Sequence, residues 1–144
     1  MKTLLEFYLK NFAFLYLDPR YRITDSKTES DAINASLTVS GPILTWLLAN
    51  DRGQMQISIA PTRLATARNW FWVSLIKQYI DKEPAISYLS ALDEIDWIRQ
   101  NAPRVEQLFS DPSALETVCD ELKTLRRANA DKYWSQWRKE QGLS

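Results

Sequence analysis

The sequence predicts an α+β fold, with an N-terminal helix, a four-stranded antiparallel meander, and three to four C-terminal helices packed on one face of the sheet. Hydrophobic residues recur with a helical period at both ends of the chain, and between them they alternate with polar residues. The 144 residues, 45% of them hydrophobic, suit one domain with its own core. We therefore expect a single α+β domain over residues 1–144.

The first helix is predicted over residues 3–16 and ends near Asp18 and Pro19. Its apolar residues follow a three-to-four spacing: Leu4, Leu5, Tyr8, Leu9, Phe12, Leu15 and Tyr16. Phe7 and Phe14 lie off that stripe and form a second apolar line, which requires a partner of its own. The partner is either another helix of the same domain or the surface of another protein or subunit.

Four segments alternate polar and apolar residues as strands do, at 21–25, 33–39, 44–48 and 55–59. Turn-forming residues separate the later segments: Ser40, Gly41 and Pro42, then Asn50, Asp51, Arg52 and Gly53. Short turns between such segments favour an antiparallel meander. The alternation also predicts one covered face and one wetter face.

Hydrophobic residues with helical spacing follow in three places: 70–80, 89–98, and a short element at 105–109 after Pro103. A last helix is expected to begin with Asp111 as its N-cap and Pro112 in its first turn. It is expected to run past Trp137. Cys119 lies on the apolar stripe of that helix, so we predict a buried, unreactive thiol.

The residue inventory argues against catalysis. The chain has no histidine and a single cysteine, so the commonest general base and the usual zinc ligands are absent. No phosphate-binding loop, dinucleotide fingerprint or nucleophile elbow occurs in the sequence. We therefore expect a protein that is not an enzyme and that has no catalytic residues, no cofactor and no structural metal.

Global charge and hydropathy narrow the classes of partner. Eighteen basic and eighteen acidic side chains cancel, so no overall field attracts nucleic acid or an anionic membrane, and we expect no direct binding to either. No apolar stretch is long enough to span a bilayer, and the N-terminus lacks a signal-peptide pattern. A lone cysteine fits a reducing compartment, and the expected location is the cytoplasm.

Charge is uneven along the last third of the chain. Residues 85–121 hold eight acids and two bases, a net charge of −6, whereas residues 122–144 hold six bases and two acids, a net charge of +4. In the last helix, this pattern complements the helix dipole. For Asp93, Glu94 and Asp96, two interpretations stay open: ordinary acids of a first helical turn, or a functional patch.

Aromatic residues supply the other candidate contacts. Trp97 follows the three acids directly, and Trp134 lies off the apolar stripe that Tyr133 and Trp137 continue. The tryptophans of the last helix either dock on the domain itself or contact a partner. The predicted partner-binding set is therefore Asp93, Glu94, Asp96, Trp97 and Trp134.

The order of elements carries a resemblance: a leading helix, the strand Ala35–Val39, the turn Asp51-Arg52-Gly53-Gln54, and Trp70-Phe71 heading a helix. In this order the chain resembles small bacterial immunity proteins encoded beside polymorphic or contact-dependent growth-inhibition toxins. The resemblance covers most of the chain. It implies stoichiometric binding of a cognate toxin domain, in many cases a nuclease, with no cofactor. It assigns no role to the four turn residues.

Two alternatives come from other functional classes. One is a small enzyme that uses carboxylates without histidine. The other is an adaptor that assembles as a homodimer or larger homo-oligomer through Phe7, Phe14 and the C-terminal helix. A toxin domain encoded next to the gene favours the immunity function over both.

Overall fold

The computed structural model describes residues 1–28 and 34–142, and its architecture is α+β. Two helical segments come first, α1 (Lys2–Asn11) and α2 (Ala13–Tyr16). The strands follow: β1 (Arg22–Thr28), β2 (Ala35–Ser40), β3 (Leu44–Asp51), β4 (Gln54–Pro61) and β5 (Phe71–Trp72). Three more α-helices follow in the described chain: α3 (Val73–Asp81), α4 (Ala91–Leu108) and α5 (Leu115–Glu140).

The antiparallel meander is confirmed, with one strand more than predicted. The sheet order is β1-β2-β3-β4-β5, and each neighbouring pair is antiparallel. The added strand uses Phe71 and Trp72, which pair with Ile59 and Ser58 of β4, whereas the helical spacing at 70–80 predicts both in a helix. Large aromatic residues favour the pleated surface of a sheet, and β4 offers an open edge here. Helix α3 consequently begins only at Val73.

One face of the sheet carries the core. Inward residues of β2, β3 and β4 alternate with partly exposed ones, as the sequence pattern predicted. The side chains of these strands that belong to the hydrophobic core are Ala35, Leu37, Val39, Leu44, Trp46, Leu48, Ile57 and Ile59. Strand β1 differs, because all its residues are exposed and it pairs with β2 alone. The predicted strand position Ile33 lies outside the described residues.

The four residues singled out in the turn between β3 and β4 have a structural role. Arg52 and Gly53 both adopt left-handed backbone conformations, with φ of 54° and 89°. This pair of positive φ angles is what a two-residue hairpin turn requires. The Asn50 side-chain oxygen accepts a 2.8 Å hydrogen bond from the Gly53 amide and closes the turn.

The N-terminal helix is interrupted, whereas the sequence predicted one continuous helix. Phe12 separates α1 from α2 with φ of −115° and is fully buried. Its ring centroid lies 5.9 Å from that of Tyr8 and 6.3 Å from that of Trp46, so the break directs an aromatic ring into the core. Phe14 packs on Trp46 at 5.9 Å, and Phe7 lies 6.0 Å from Phe12. The second apolar line is thus covered within the domain, by the sheet and by Phe12.

Helix α4 corrects another prediction, because it continues through Pro103 as a single helix. Proline removes one internal hydrogen bond from a helix. Ile98 before it and Val105 after it are both fully buried, so core packing stabilises the helix on both sides of the proline. The predicted separate element at 105–109 is the end of this helix.

Helix α5 begins three residues later than expected, with Ala114 instead of Asp111 as its N-cap. Asp111 accepts hydrogen bonds from the amide of Ser113 at 3.0 Å and from its hydroxyl at 2.7 Å, and so stabilises a turn before the helix. The helix itself starts at Leu115. The expectation that it runs past Trp137 is confirmed. Among the described residues, no helix has the length and apolar character needed to cross a membrane.

Candidate protein-binding surface

Helix α5 leaves the body of the domain at Asn129. Before this point Leu115, Cys119 and Leu122 are buried in the core. Asn129 exchanges two hydrogen bonds with the buried side chain of Gln78, at 2.7 and 3.2 Å. Every described residue after Asn129 is exposed. The helix therefore extends about 16 Å past the body as a tail from Ala130 to Glu140, at about 1.5 Å per residue.

The tail carries three large aromatic side chains. Tyr133 is 58% exposed, Trp134 is 52% exposed and Trp137 is 40% exposed. Their rings contact one another edge to face, with centroids 5.3 Å apart for Tyr133–Trp134 and 5.9 Å apart for Trp134–Trp137. Such packing orders the rings but leaves much of their apolar area in water. Trp134 and Trp137 are therefore not buried against the body, contrary to one of the two interpretations.

An apolar groove lies beside the base of the tail. Its volume is about 340 Å³. The lining residues are Trp70, Trp72, Leu75, Ile86, Tyr88, Arg126, Asn129 and Ala130. Two of them are themselves prominent on the surface, Trp72 at 55% exposure and Tyr88 at 63%. Three parts of the chain therefore form the groove: the junction of β5 and α3, the segment before α4, and helix α5.

Helical spacing connects the groove to the tail. Ala130 lines the groove, and Tyr133, Trp134 and Trp137 follow it by three, four and seven residues. Residues at these spacings lie on the same side of a helix. We call the combined patch the aromatic surface, defined by five side chains: Trp72, Tyr88, Tyr133, Trp134 and Trp137.

The groove wall is held by specific polar contacts. Ser74 in α3 accepts a 3.1 Å hydrogen bond from the amide of Leu89 through its hydroxyl oxygen, which fixes the segment that carries Tyr88. Arg126 donates to the carbonyl oxygens of Trp70 at 3.0 Å and Arg68 at 3.3 Å. These bonds tie α5 to the segment before β5, so the two sides of the groove are fixed relative to each other.

Glu94, one of the predicted contact residues, is buried at 8% exposure. Its carboxylate accepts 2.9 Å hydrogen bonds from both the amide and the hydroxyl of Ser74. Burial raises the pKa of this carboxyl, and the two bonds from Ser74 oppose part of that rise. A smaller groove of about 210 Å³ reaches Glu94 and shares Trp72 and Tyr88 with the aromatic surface.

The other predicted residues occupy two separate elements. Asp93 and Asp96 are exposed in the first turns of α4, where the Ser90 hydroxyl caps the Asp93 amide at 3.2 Å. Asp96 forms an ion pair with Arg99 at 3.5 Å. Trp97 is partly buried against the core. Trp134 belongs to the tail of α5 and to the aromatic surface.

Trp72 and Tyr88 are the contact candidates that the sequence reasoning missed. The signal for the first was present: in the run Trp70-Phe71-Trp72, strand alternation puts Phe71 inside and its two neighbours outside. A helical interpretation of the same run hid this alternation. Tyr88 lies in a segment without regular structure, where periodicity gives no signal.

The single thiol, Cys119, is buried, and burial raises its pKa. Within residues 1–28 and 34–142, no group of three or more cysteine, aspartate or glutamate side chains is placed to hold a metal ion. Comparisons with protein-family models, with curated proteins and with solved structures find no match for this chain.

Proposed function

We propose that this chain is an immunity protein of the cytoplasm, which binds a cognate toxin domain in a one-to-one complex and blocks it, without chemistry of its own. The observation that carries the proposal is the aromatic surface. Its five aromatic side chains are each 40–63% exposed. Exposed aromatic area of this kind beside an apolar groove is typical of a protein-binding site.

The size of the surface fits a specific complex. A buried aromatic side chain covers about 150–250 Å², so five that are about half exposed offer roughly 500 Å² for burial. A standard interface buries roughly 800 Å² on each partner, so the aromatic side chains alone supply more than half of it. Tryptophan and tyrosine are also the residues that dominate binding energy at protein interfaces.

The tail is preorganised for binding. It continues a helix whose first turns are buried, and Asn129 and Arg126 fix its base. A partner that docks here therefore orders little additional backbone, which lowers the entropic cost of association. Of the predicted contact set, the proposal takes Trp134 as the central anchor. Asp93 and Asp96, which lie on α4, serve as comparison positions.

Co-expression with the toxin domain encoded beside the gene tests the proposal. We expect protection of growth and a one-to-one complex in size-exclusion chromatography. The double variant Trp134→Ala, Trp137→Ala removes two anchors that make no contact with the core. It should weaken the complex by at least about 30-fold, since an interface anchor contributes about 2 kcal/mol or more.

A matched control is the double variant Asp93→Ala, Asp96→Ala, which changes two exposed residues away from the tail. We expect it to bind within a few-fold of the wild type. Absence of both protection and complex with the wild type would exclude the immunity function. Equal affinity of the tryptophan variant and the wild type would exclude the aromatic surface as the binding site.

A further inference from the structure

The side of helix α5 that carries Trp134 also carries unpaired positive charge. Arg127 precedes Trp134 by seven residues and Arg138 follows it by four, so the three lie in one line along the helix. Both arginines are exposed. Within the described part of the chain, neither has an ion-pair partner or a hydrogen-bonded acceptor.

Neighbouring cations on the same helix are already engaged. Lys123 forms an ion pair with Asp120 at 3.4 Å, and Arg126 donates to two backbone carbonyls while its guanidinium lies 5.3 Å from the centre of the Phe71 ring. Lys132 and Lys139 are exposed, but helical geometry places them on the side of the tail opposite Trp134. Arg127 and Arg138 are therefore the cations that border the aromatic surface. Asp131, four residues after Arg127 and three before Trp134, is an acid on the same side, and the two arginines leave the charge there net positive.

We infer that the toxin domain presents to the aromatic surface an apolar side chain flanked by carboxylates. The apolar side chain enters the groove between Trp72 and Ala130, and the carboxylates pair with Arg127 and Arg138. This inference rests on the proposed function, and it specifies the chemistry of the partner at that same site. The partner need not be acidic overall, because only its contact surface is specified.

Charge complementarity and geometry both support an acidic contact. Planar guanidinium groups bind carboxylates through two parallel hydrogen bonds, and arginine is enriched with tryptophan and tyrosine in interface cores. The distribution of charge along the chain also favours one orientation of an approaching acidic partner, since residues 85–121 carry a net charge of −6 and residues 122–144 carry +4. An acidic surface is repelled by the first segment, which includes Glu116, Asp120 and Glu121 at the start of α5, and attracted by the second. The encounter is thereby oriented toward the C-terminal part of that helix.

Arginine next to tryptophan also occurs in proteins that bind single-stranded nucleic acid. Two observations favour a protein here. The lining of the groove is predominantly aromatic and aliphatic, and the chain has no net positive charge. By contrast, a groove that binds single-stranded nucleic acid is positively charged along its length, where it follows the phosphate backbone.

The test compares two charge reversals on one helix. The variant Arg127→Glu, Arg138→Glu reverses the charges beside Trp134, and Lys132→Glu, Lys139→Glu makes the same change in charge on the opposite side. Association rates with the purified toxin domain are measured at low and high salt. All four positions are exposed, so both variants should keep the wild-type circular dichroism and melting temperature.

We expect the arginine variant to associate at least tenfold more slowly than the wild type at low salt, and the difference to shrink as salt rises. The lysine variant should stay within about threefold of the wild type. Equal effects of the two variants, or faster association of the arginine variant, would overturn the acidic contact while leaving the immunity function intact.

Two further measurements exclude other occupants of the surface. A labelled single-stranded oligonucleotide that binds the wild type, and not the arginine variant, would reassign the surface to nucleic acid. A concentration-dependent dimer in sedimentation velocity that the change Trp134→Ala abolishes would reassign it to a second copy of the chain. Complete absence of toxin binding by the wild type would instead remove the proposed function, and the inference with it.

Discussion

At the scale of single residues, Glu94 shows that the position of a residue around the helix axis determines whether its side chain is buried. It stands beside Asp93 and Asp96 in the sequence, and the three together predicted an acidic patch. Ile98 follows Glu94 by four residues and is fully buried, so Glu94 shares the inward side of α4. Its carboxylate is retained there because Ser74 supplies two hydrogen bonds. Counting charges along the sequence could not reveal this, because Ser74 is distant in the chain.

The buried carboxyl predicts a pH dependence of stability. Because burial raises the folded-state pKa of Glu94 above the ordinary 4.5, the folded protein binds this proton more tightly than the unfolded chain does. The stability that this proton contributes is complete below pH 4.5 and is lost as the pH rises through the folded-state pKa. Glu94→Gln removes the titration and keeps an oxygen that can accept both bonds from Ser74.

Urea unfolding of wild type and Glu94→Gln measures this effect when it is repeated from pH 4 to 8 in steps of about half a pH unit. We expect the free energy of unfolding of the wild type, relative to the variant, to fall as the pH rises and then to become constant. The control variant Asp93→Asn removes an adjacent, exposed charge. It shows how much of the pH dependence of stability comes from the change in net charge alone. A constant difference between wild type and Glu94→Gln would show that the carboxyl is not desolvated in the folded protein.

At the scale of elements, strong periodicity predicted most of the fold, and local exceptions account for the rest. The alternation in β2, β3 and β4 and the stripe of α5 were recognised because each buries one face. Phe12 breaks the first helix although its spacing fits a helix, and Pro103 fails to break α4 although proline usually does. In both cases burial of a side chain in the core outweighs the local preference of the backbone.

The candidate site was less predictable than the fold. Trp134 was identified because it lies off the apolar stripe of a strongly periodic helix. Trp72 and Tyr88 join it only through the packing of β5 and of the segment before α4 beside α5. A groove between three segments depends on tertiary contacts, and no window along the sequence contains them.

The α5 tail should contribute to binding and little to folding. A chain that ends at Ala130 loses Tyr133, Trp134 and Trp137 but no buried side chain of the described structure. We expect its free energy of unfolding to stay within about 1 kcal/mol of the full chain and its toxin binding to be lost. Leu122→Ala, in the buried part of the same helix, should destabilise by about 2–5 kcal/mol.

Urea titration measures the stability of these variants. Co-expression with the toxin domain, followed by size-exclusion chromatography, measures their binding. If truncation lowers the free energy of unfolding as much as Leu122→Ala does, the tail packs on the body. In that case its exposed aromatic side chains could not form a preorganised docking surface.

At the scale of the whole molecule, one core joins the first helix to the last. The buried cluster extends from Leu4 in α1 through Trp46 in β3 and Ile76 in α3 to Leu122 in α5. Sheet and helices therefore have no separate cores that could unfold one at a time. A single cluster of this kind is typical of a domain that unfolds in one cooperative step.

The final prediction follows from that shared core. Trp46 and Cys119 are both buried in the cluster, one in the sheet and one in α5, so urea should expose them together. Near-ultraviolet circular dichroism reports the ordered tryptophans, and reaction with a thiol reagent reports Cys119. The chain ending at Ala130 is the better sample, because it lacks Trp134 and Trp137. We expect one midpoint for both signals and slow thiol labelling without urea, whereas labelling at a lower urea concentration than the loss of tryptophan order would show that α5 detaches as a separate unit.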